Sequence, residues 1–328
     1  MIDASQITDW IPARVSWQEA EPLIDWCYLG EQRISEVNFD QTLNKCIELP
    51  FNLLFRHQTT MEGLRRVDEA RPGMRPTGFI FHSSRSGSRL LMRMLAALPT
   101  NTCLSEARPL DSLLRAKRLD PSVTDAQRVE WVQLMVSCLA RPSRGGQRHL
   151  FIKFHQWNIF ELRIIRLAFP GVPWIFVYRD PIEELVSQMN QRDAHMIPGV
   201  IDPQIFGMDH LTISEMAPED YCAKVLKTVC EAALQSLPDG GILINSSQLP
   251  AAFSTISSFF GLSWTDIELE VMTSVTARTN LATVQSDSRS RGKLATERLC
   301  EAAKTWVYPA YNALEQARLA QHSSVGCL

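Results

Sequence analysis

The stretch GFIFHSSRSGSRLLMRML, residues Gly78–Leu95, governs how the rest of the chain is read. An apolar run enters a small polar turn, and the turn opens directly into an amphipathic helix. A strand–turn–helix junction of this kind aims free backbone N–H groups and the positive end of the helix at one point, which makes an anion site. Gly87 lets the backbone approach a ligand closely. Ser86 and Ser88 add hydroxyl donors, and Arg85 adds a fixed positive charge. A plain junction with a serine N-cap has the same look and is the structural alternative. The turn is not a Walker A loop, because the Gly-Lys step and the earlier glycine of that motif are absent.

Working outward, short apolar runs alternate with helical periodicity from Thr77 onward, which points to a parallel sheet with crossover helices. Strands are expected at Gly78–His82, Thr102–Ser105, Leu150–His155, Trp174–Tyr178 and Gly241–Asn245. Helices are expected from about Ser88, across Val123–Leu139, from Asn158, after Pro181, over Pro218–Leu237 and near Ala295–Gln321. The expected fold class is therefore α/β: a three-layer parallel sheet with a P-loop-like phosphate loop. Residues 1–76 read as a mostly helical N-terminal cap on a main domain spanning 77–328. That first part holds Trp10, Trp17 and Trp26, the apolar cluster LPFNLLF (Leu49–Phe55) and the turn-rich RPGMRP (Arg71–Pro76). It is too short to hold much of a core alone.

Bulk properties narrow the class. The chain has 328 residues and a formal net charge of −3, so any anion site must be a local concentration of donors. Nucleic acid and anionic membranes are not expected partners. The eight cysteines form no Cys-x-x-Cys pair and sit mostly in apolar periodic stretches, which suits buried thiols in a reducing compartment. No apolar run is long enough to span a bilayer, and the N-terminus lacks a signal-peptide pattern, so a cytoplasmic protein is expected. Oligomeric state is not legible.

A second junction, VPWIFVYRDPIEELVS, covers Val172–Ser187. A buried-type strand ends at Arg179, Pro181 takes the favoured first-turn position of a helix, and Ser187 follows two turns in. In the structural alternative Asp180 caps that helix and Arg179 pairs with a carboxylate. A Walker B reading of Asp180 has no matching Walker A.

Together these two segments resemble the PAPS-dependent sulfotransferases, where PAPS is 3′-phosphoadenosine 5′-phosphosulfate. SRSGSRLL is similar to that family's 5′-phosphosulfate loop, which implies that Arg85, Ser86, Gly87 and Ser88 hold the phosphosulfate. Arg89 stands where the family usually has another hydroxyl residue. The family's Arg-[Asp/Asn]-Pro, with a serine eight residues after the arginine, grips the 3′-phosphate; Arg179 and Ser187 have that spacing. LFIKFH (Leu150–His155) resembles the Lys-x-His of cytosolic members, with Lys153 near the bridging oxygen and His155 as base. Glu106, in CLSEARPL, occupies a position comparable to a catalytic glutamate in other members; its bland reading is a salt bridge to Arg108 or support for Arg85. The basic loop QSDSRSRGK offers Arg289, Arg291 and Lys293 for closure over the 3′-phosphate, and His195 is a candidate for the acceptor pocket.

The resemblance implies sulfuryl transfer from PAPS to a hydroxyl or amine of a small-molecule or peptide acceptor, with no metal required. Sulfate carries less charge than a terminal phosphate, so Arg, Lys and N–H donors can stabilise the transferring group. Two other classes stay open: an atypical P-loop nucleotide-dependent kinase, which would need magnesium, and a non-catalytic nucleotide-binding protein.

Overall fold

The computed structural model describes residues 9–18, 21–30, 39–141, 146–275 and 296–325. Arg289, Arg291 and Lys293 lie outside the described residues. The chain opens with strands β1 (Trp10–Gln18) and β2 (Glu21–Tyr28), then helices α1 (Phe39–Ile47) and α2 (Pro50–Leu54), strand β3 (His57–Thr60) and helix α3 (Met61–Ala70). Next come β4 (Gly78–His82), α4 (Ser88–Ala96), β5 (Asn101–Ser105), α5 (Arg108–Leu114), α6 (Ala116–Leu119), α7 (Asp125–Leu139), β6 (His149–Lys153) and α8 (Leu162–Ala168). They are followed by β7 (Trp174–Tyr178), α9 (Pro181–Asn190), α10 (His210–Ser214), α11 (Pro218–Ser236), β8 (Ile242–Asn245), α12 (Phe253–Phe259) and a helix α13 over 266–275. Helices α14 (Glu297–Ala302) and α15 (Tyr308–Val325), joined by a π-helical turn, close the described chain.

Local chemistry accounts for the element boundaries. Thr124 and Gln127 form a reciprocal capping box that starts α7. Asp180 caps α9 and Pro181 follows in its first turn, where a missing N–H costs nothing. Pro218 does the same for α11.

The main sheet has five parallel strands in the order β5-β6-β4-β7-β8. Every residue of β4 and of β7 is buried, as expected for strands covered on both faces. This is the mixed α/β fold with a parallel sheet that the alternation of patterns predicts.

The N-terminal part holds the expected helices, α1 to α3, and beside them a three-stranded antiparallel sheet, β1-β2-β3, that the sequence reading left out. Two features hid it. Pro12 interrupts the apolar run of β1, at a register shift between Pro12 and Arg14, and a proline inside a run argues against a strand. Strand β3, His-Gln-Thr-Thr, is short and polar. Trp10 and Trp26 are buried residues of this sheet, and the Arg141 guanidinium both donates to the Trp10 carbonyl and lies over the Trp26 ring.

The chain divides into two compact units: Met1–Phe79 with Leu95–Val172, and Ile80–Met94 with Pro173–Leu328. In the first, Ile24, Phe39, Leu64, Phe79, Leu104 and Phe151 are fully enclosed. In the second, Phe81, Trp174, Phe176 and Tyr221 form the centre, with Trp174 edge-on to Phe81 at 6.0 Å. The outer strand β8 would present unpaired backbone groups. The Gln321 side-chain amide answers two of them: its nitrogen donates to the Gly241 carbonyl at 2.8 Å and its oxygen accepts from the Leu243 N–H at 3.1 Å.

The described cysteines agree with the thiol reading. None is disulfide-bonded, and all but the half-buried Cys300 are buried. Burial pushes the Cys103, Cys138 and Cys222 thiols up to about 12. Among the described residues no helix is long and apolar enough to cross a membrane.

Trp174 sets a sharp limit at Gly241. A methyl group there would meet the indole at 2.3 Å, and the ring is fully buried with no room to retreat. Gly241→Ala is expected to cost about 1–3 kcal/mol, the range for overpacking a core. A fall in the urea midpoint at unchanged m-value would show it; an unmoved midpoint would refute the packing argument.

Candidate functional site

The phosphate-loop segment lies in the second unit. Its base is tied to β7 by the Ser83 N–H, which donates to the Val177 carbonyl at 2.9 Å. From there the backbone takes two left-handed residues, Arg85 at φ 53° and Gly87 at φ 85°. The first is costly for a residue with a Cβ. The second suits glycine: a Cβ at 87 would touch nothing closer than Leu249 Cδ1 at 3.4 Å, so conformation rather than space selects the residue. Alternating turns of this type point successive N–H groups into one concavity. The Gly87 carbonyl then accepts from the Leu90 and Leu91 N–H groups, and α4 begins.

A clamp of buried polar groups holds the loop to α9. Ser83 Oγ donates to Glu184 Oε2 at 2.7 Å, and Ser84 Oγ donates to Asp193 Oδ2 at 2.5 Å. Gln188 Nε2 donates to both Ser84 Oγ and Asp193 Oδ2, while its oxygen accepts from the Asp193 N–H at 2.9 Å. Burial pushes the Glu184 carboxyl well above its ordinary range, only partly offset by the Ser83 hydrogen bond and the Arg179 charge. Burial also pushes Asp193 up, but hydrogen bonds from Ser84 and Gln188 and the Arg85 charge outweigh it and leave that carboxyl low.

Two donors in the loop are left over. Ser86 Oγ and Arg85 Nε are both buried with no hydrogen-bond partner among the described residues. An unsatisfied buried polar group typically costs about 1–3 kcal/mol, so an acceptor brought to this pair by a ligand would be favourable. Ser88 is buried at the first position of α4, and Arg89 is exposed beside it.

The rest of the Arg85 guanidinium is turned outward. Its Nη2 donates to the Gln191 carbonyl at 2.6 Å and lies 3.3 Å from Asp193 Oδ1. Arg179 pairs with Glu183 at 2.5 Å, the carboxylate pairing foreseen as the structural alternative. Asp180 is the helix cap of that same alternative: its Oδ1 accepts from the Ile182 and Glu183 N–H groups, and its Oδ2 accepts from the Tyr308 hydroxyl at 3.1 Å. Arg85 and Arg179 therefore engage opposite ends of α9, roughly 12 Å apart along the axis at 1.5 Å per residue. Ser187 lies half-buried on α9 between them. In this state each guanidinium serves a carboxylate, so an incoming anion must share or take over its cation. His195 is buried, and its backbone carbonyl accepts from the Tyr221 hydroxyl.

The proposed proton acceptors all lie in the first unit. Strands β5 and β6 pair in register up to Ser105 and Lys153, and the Glu106 N–H adds a last rung by donating to the Lys153 carbonyl at 2.7 Å. Glu106 has φ 57°, a left-handed conformation rare outside glycine. The turn brings its carboxylate to 2.9 Å from the Lys153 ammonium, which is buried. This corrects the reading of Glu106 as a salt bridge to Arg108: Glu106 pairs with Lys153, and Arg108 pairs with Asp40 at 2.6 Å.

The strand expected over Leu150–His155 ends two residues early. Strand β6 stops at Lys153, so alternation along a strand does not relate the two side chains. The Asn158 side chain ends the ladder by accepting from the His155 N–H at 3.1 Å, and the Asn158 N–H donates back to the His155 carbonyl. The imidazole is stacked on Trp157, with ring centroids 4.6 Å apart and planes 6° from parallel. Burial pushes the Asp40 carboxyl up; Arg108 and His155 oppose that, and Glu106 reinforces it.

Sequence reasoning missed Ser83, Ser84, Glu184, Gln188 and Asp193 as one polar assembly. The first three sit inside the two quoted segments and Gln188 directly follows the second, but nothing local says that they meet.

No protein-family model matches the chain. No curated protein matches it by sequence. Among the solved structures that align with it are three sulfotransferases. The sulfotransferase domain of the Synechococcus PCC 7002 olefin synthase does so at TM-score 0.37 and 16% identity, over 62% of this chain and 78% of that one. A sulfotransferase from Mycobacterium tuberculosis H37Rv does so at TM-score 0.37 and 13% identity, over 61% and 71%. A sulfotransferase from Alicyclobacillus acidocaldarius reaches TM-score 0.44 at 13% identity, over 75% and 96%.

Glu184 gives the site a pH signature. Its folded pKa lies above the ordinary 4.5, so the stability it contributes is full below 4.5 and is lost as pH rises toward the folded value. Glu184→Gln keeps the shape of the neutral acid and cannot ionise. The variant is expected to melt a few degrees above the parent at pH 8, with the gap closing near pH 4, at about 2–4 °C for each kcal/mol. A constant gap across that range in calorimetry would show that Glu184 is charged in the fold.

Proposed function

We propose that this chain is a sulfotransferase that takes PAPS as its donor. The observation that carries the reading is the pair of orphaned buried donors, Ser86 Oγ and Arg85 Nε, in a left-handed turn that opens a helix. Such donors suit a multiply charged oxyanion, and the loop's likeness to the phosphosulfate loop gives that anion its identity.

Ser86, Ser88, the N–H groups around Gly87 and the Arg85 Nε–H would hold the 5′-phosphosulfate. Arg89, exposed on the first turn of α4, adds long-range positive charge. Arg179 and Ser187 would hold the 3′-phosphate, with Arg179 exchanging Glu183 for a stronger bidentate partner. Arg289, Arg291 and Lys293 would add cations over the same phosphate. When bound, PAPS supplies an activated sulfuryl group on a good leaving group.

The chain's own chemistry is then to stabilise charge and move one proton. Lys153 holds a buried ammonium that can stabilise a developing bridging-oxygen charge. Glu106 and His155 are the proton acceptors. Glu106 is the one paired directly to that ammonium, a fixed position that suits it to orienting the acceptor. His155, held by Asn158 and Trp157, suits the base. The acceptor is a hydroxyl or amine on a small molecule or peptide. No step in this scheme calls on a metal ion.

Calorimetric titration with 3′,5′-ADP against AMP tests the reading. At least a tenfold preference for 3′,5′-ADP is expected, and Arg179→Ala should abolish the preference while leaving AMP binding unchanged. PAPS turnover should persist in EDTA. Equal affinity for the two nucleotides, or tighter binding of ATP than of PAPS, would sink the proposal.

A further inference from the structure

Asp111, on α5, is a buried carboxylate that the scheme above leaves idle. Arg115, one turn along the same helix, already meets both of its oxygens: Nε at 3.0 Å from each and Nη2 at 2.5 Å from Oδ2. A purely structural ion pair would be complete at that point. Yet Oδ1 also accepts from the Trp157 indole N–H and from the Asn158 side-chain amide, each at 2.8 Å.

Those two donors are the residues that hold His155. Trp157 is its stacking partner. Asn158 accepts from its backbone N–H. By taking the Asn158 NH₂ group, Asp111 fixes which way that amide faces, so its oxygen must point to His155. By taking the indole N–H, it fixes the plane on which the imidazole lies. Burial pushes the Asp111 carboxyl up, and the His155 and Arg115 charges outweigh it and leave the group below its ordinary value.

We propose that Asp111 is a positioning residue for His155, setting the orientation of the imidazole through Trp157 and Asn158 without touching the reacting atoms. The role in catalysis rests on the reading of His155 as the proton acceptor; the role in orientation does not. Orientation matters because a misplaced base can cost a factor of about 100 in rate.

The experiment uses the full chain and two readouts. The first is the ring-current shift of the His155 imidazole C–H signals in the NMR spectrum, a signature of stacking that unrelated loss of stability does not move. Asp111→Ala is expected to abolish the shift, and Asp111→Asn, which keeps one acceptor oxygen, to restore part of it. The second is PAPS turnover, where kcat should fall about 10–100-fold in the alanine variant at unchanged KM for PAPS. Trp157→Phe keeps a ring and removes only the N–H anchor, so it decides the matter if Asp111→Ala does not fold. It should shift the His155 signals and lower kcat about 3–10-fold. Unchanged His155 signals in folded Asp111→Ala, or in Trp157→Phe if the alanine variant is unfolded, would overturn the inference. If the parent chain turns over no PAPS, the sulfotransferase reading fails, while the NMR arm still decides what Asp111 does.

Discussion

The site depends on one constraint: a strained polar turn must be held at the end of a buried strand. Left-handed backbone at Arg85 is unfavourable unless the surroundings over-determine it, whereas Gly87 adopts it freely. Glu184, Gln188 and Asp193 supply that support through Ser83 and Ser84. The arrangement places two carboxyl groups behind a loop suited to anions, which would be self-defeating if both were charged. Burial drives Glu184 toward its neutral form, and Asp193 is matched by Arg85. On the proposed reading, an anion would meet the loop N–H groups, the start of α4 and the two orphaned donors, while Arg85 Nη2 balances Asp193.

The carboxyl ends of β7 and β8 show the same habit of saturating polar groups. Glu315 on α15 accepts from Tyr178 at 2.5 Å, from Asn245 at 2.9 Å and from Arg318 at 2.6 Å. Burial raises this carboxyl, and the three hydrogen bonds bring it down to about 2. Tyr308, at the start of the same helix, donates to Asp180. The residue next to Arg179 is thereby fixed by α9 from one side and by α15 from the other.

The first unit also holds a left-handed residue other than glycine. Glu106 leaves β5 at φ 57°, and its N–H and its carboxylate both engage Lys153. The ion pair explains how a lysine can be buried with its charge: the partner is built by the backbone turn rather than by a distant element. Asp111 does for His155 what this turn does for Lys153.

Much of this was legible in the sequence. Strands Gly78–His82 and Trp174–Tyr178 were read to the residue, and the starts of α4, α9 and α11 to within a residue, because apolar periodicity and caps are local signals. Strand β1 was not legible, since Pro12 breaks its pattern and only pairing with β2 restores it. The position of the phosphate loop followed from its neighbours in the chain, but the partner of each charged group did not. Ser83 and Glu184 are 101 residues apart, and Ser84 and Asp193 are 109 apart. Local sequence thus determined where the turn falls and which residue types line it. The fold alone decided that Arg85 serves Asp193, that Glu106 faces Lys153 rather than Arg108, and that Asp111 reaches the supports of His155. Ion pairs and buried hydrogen bonds are chosen by distance in space, and distance in space is set only when the sheet and its helices have closed.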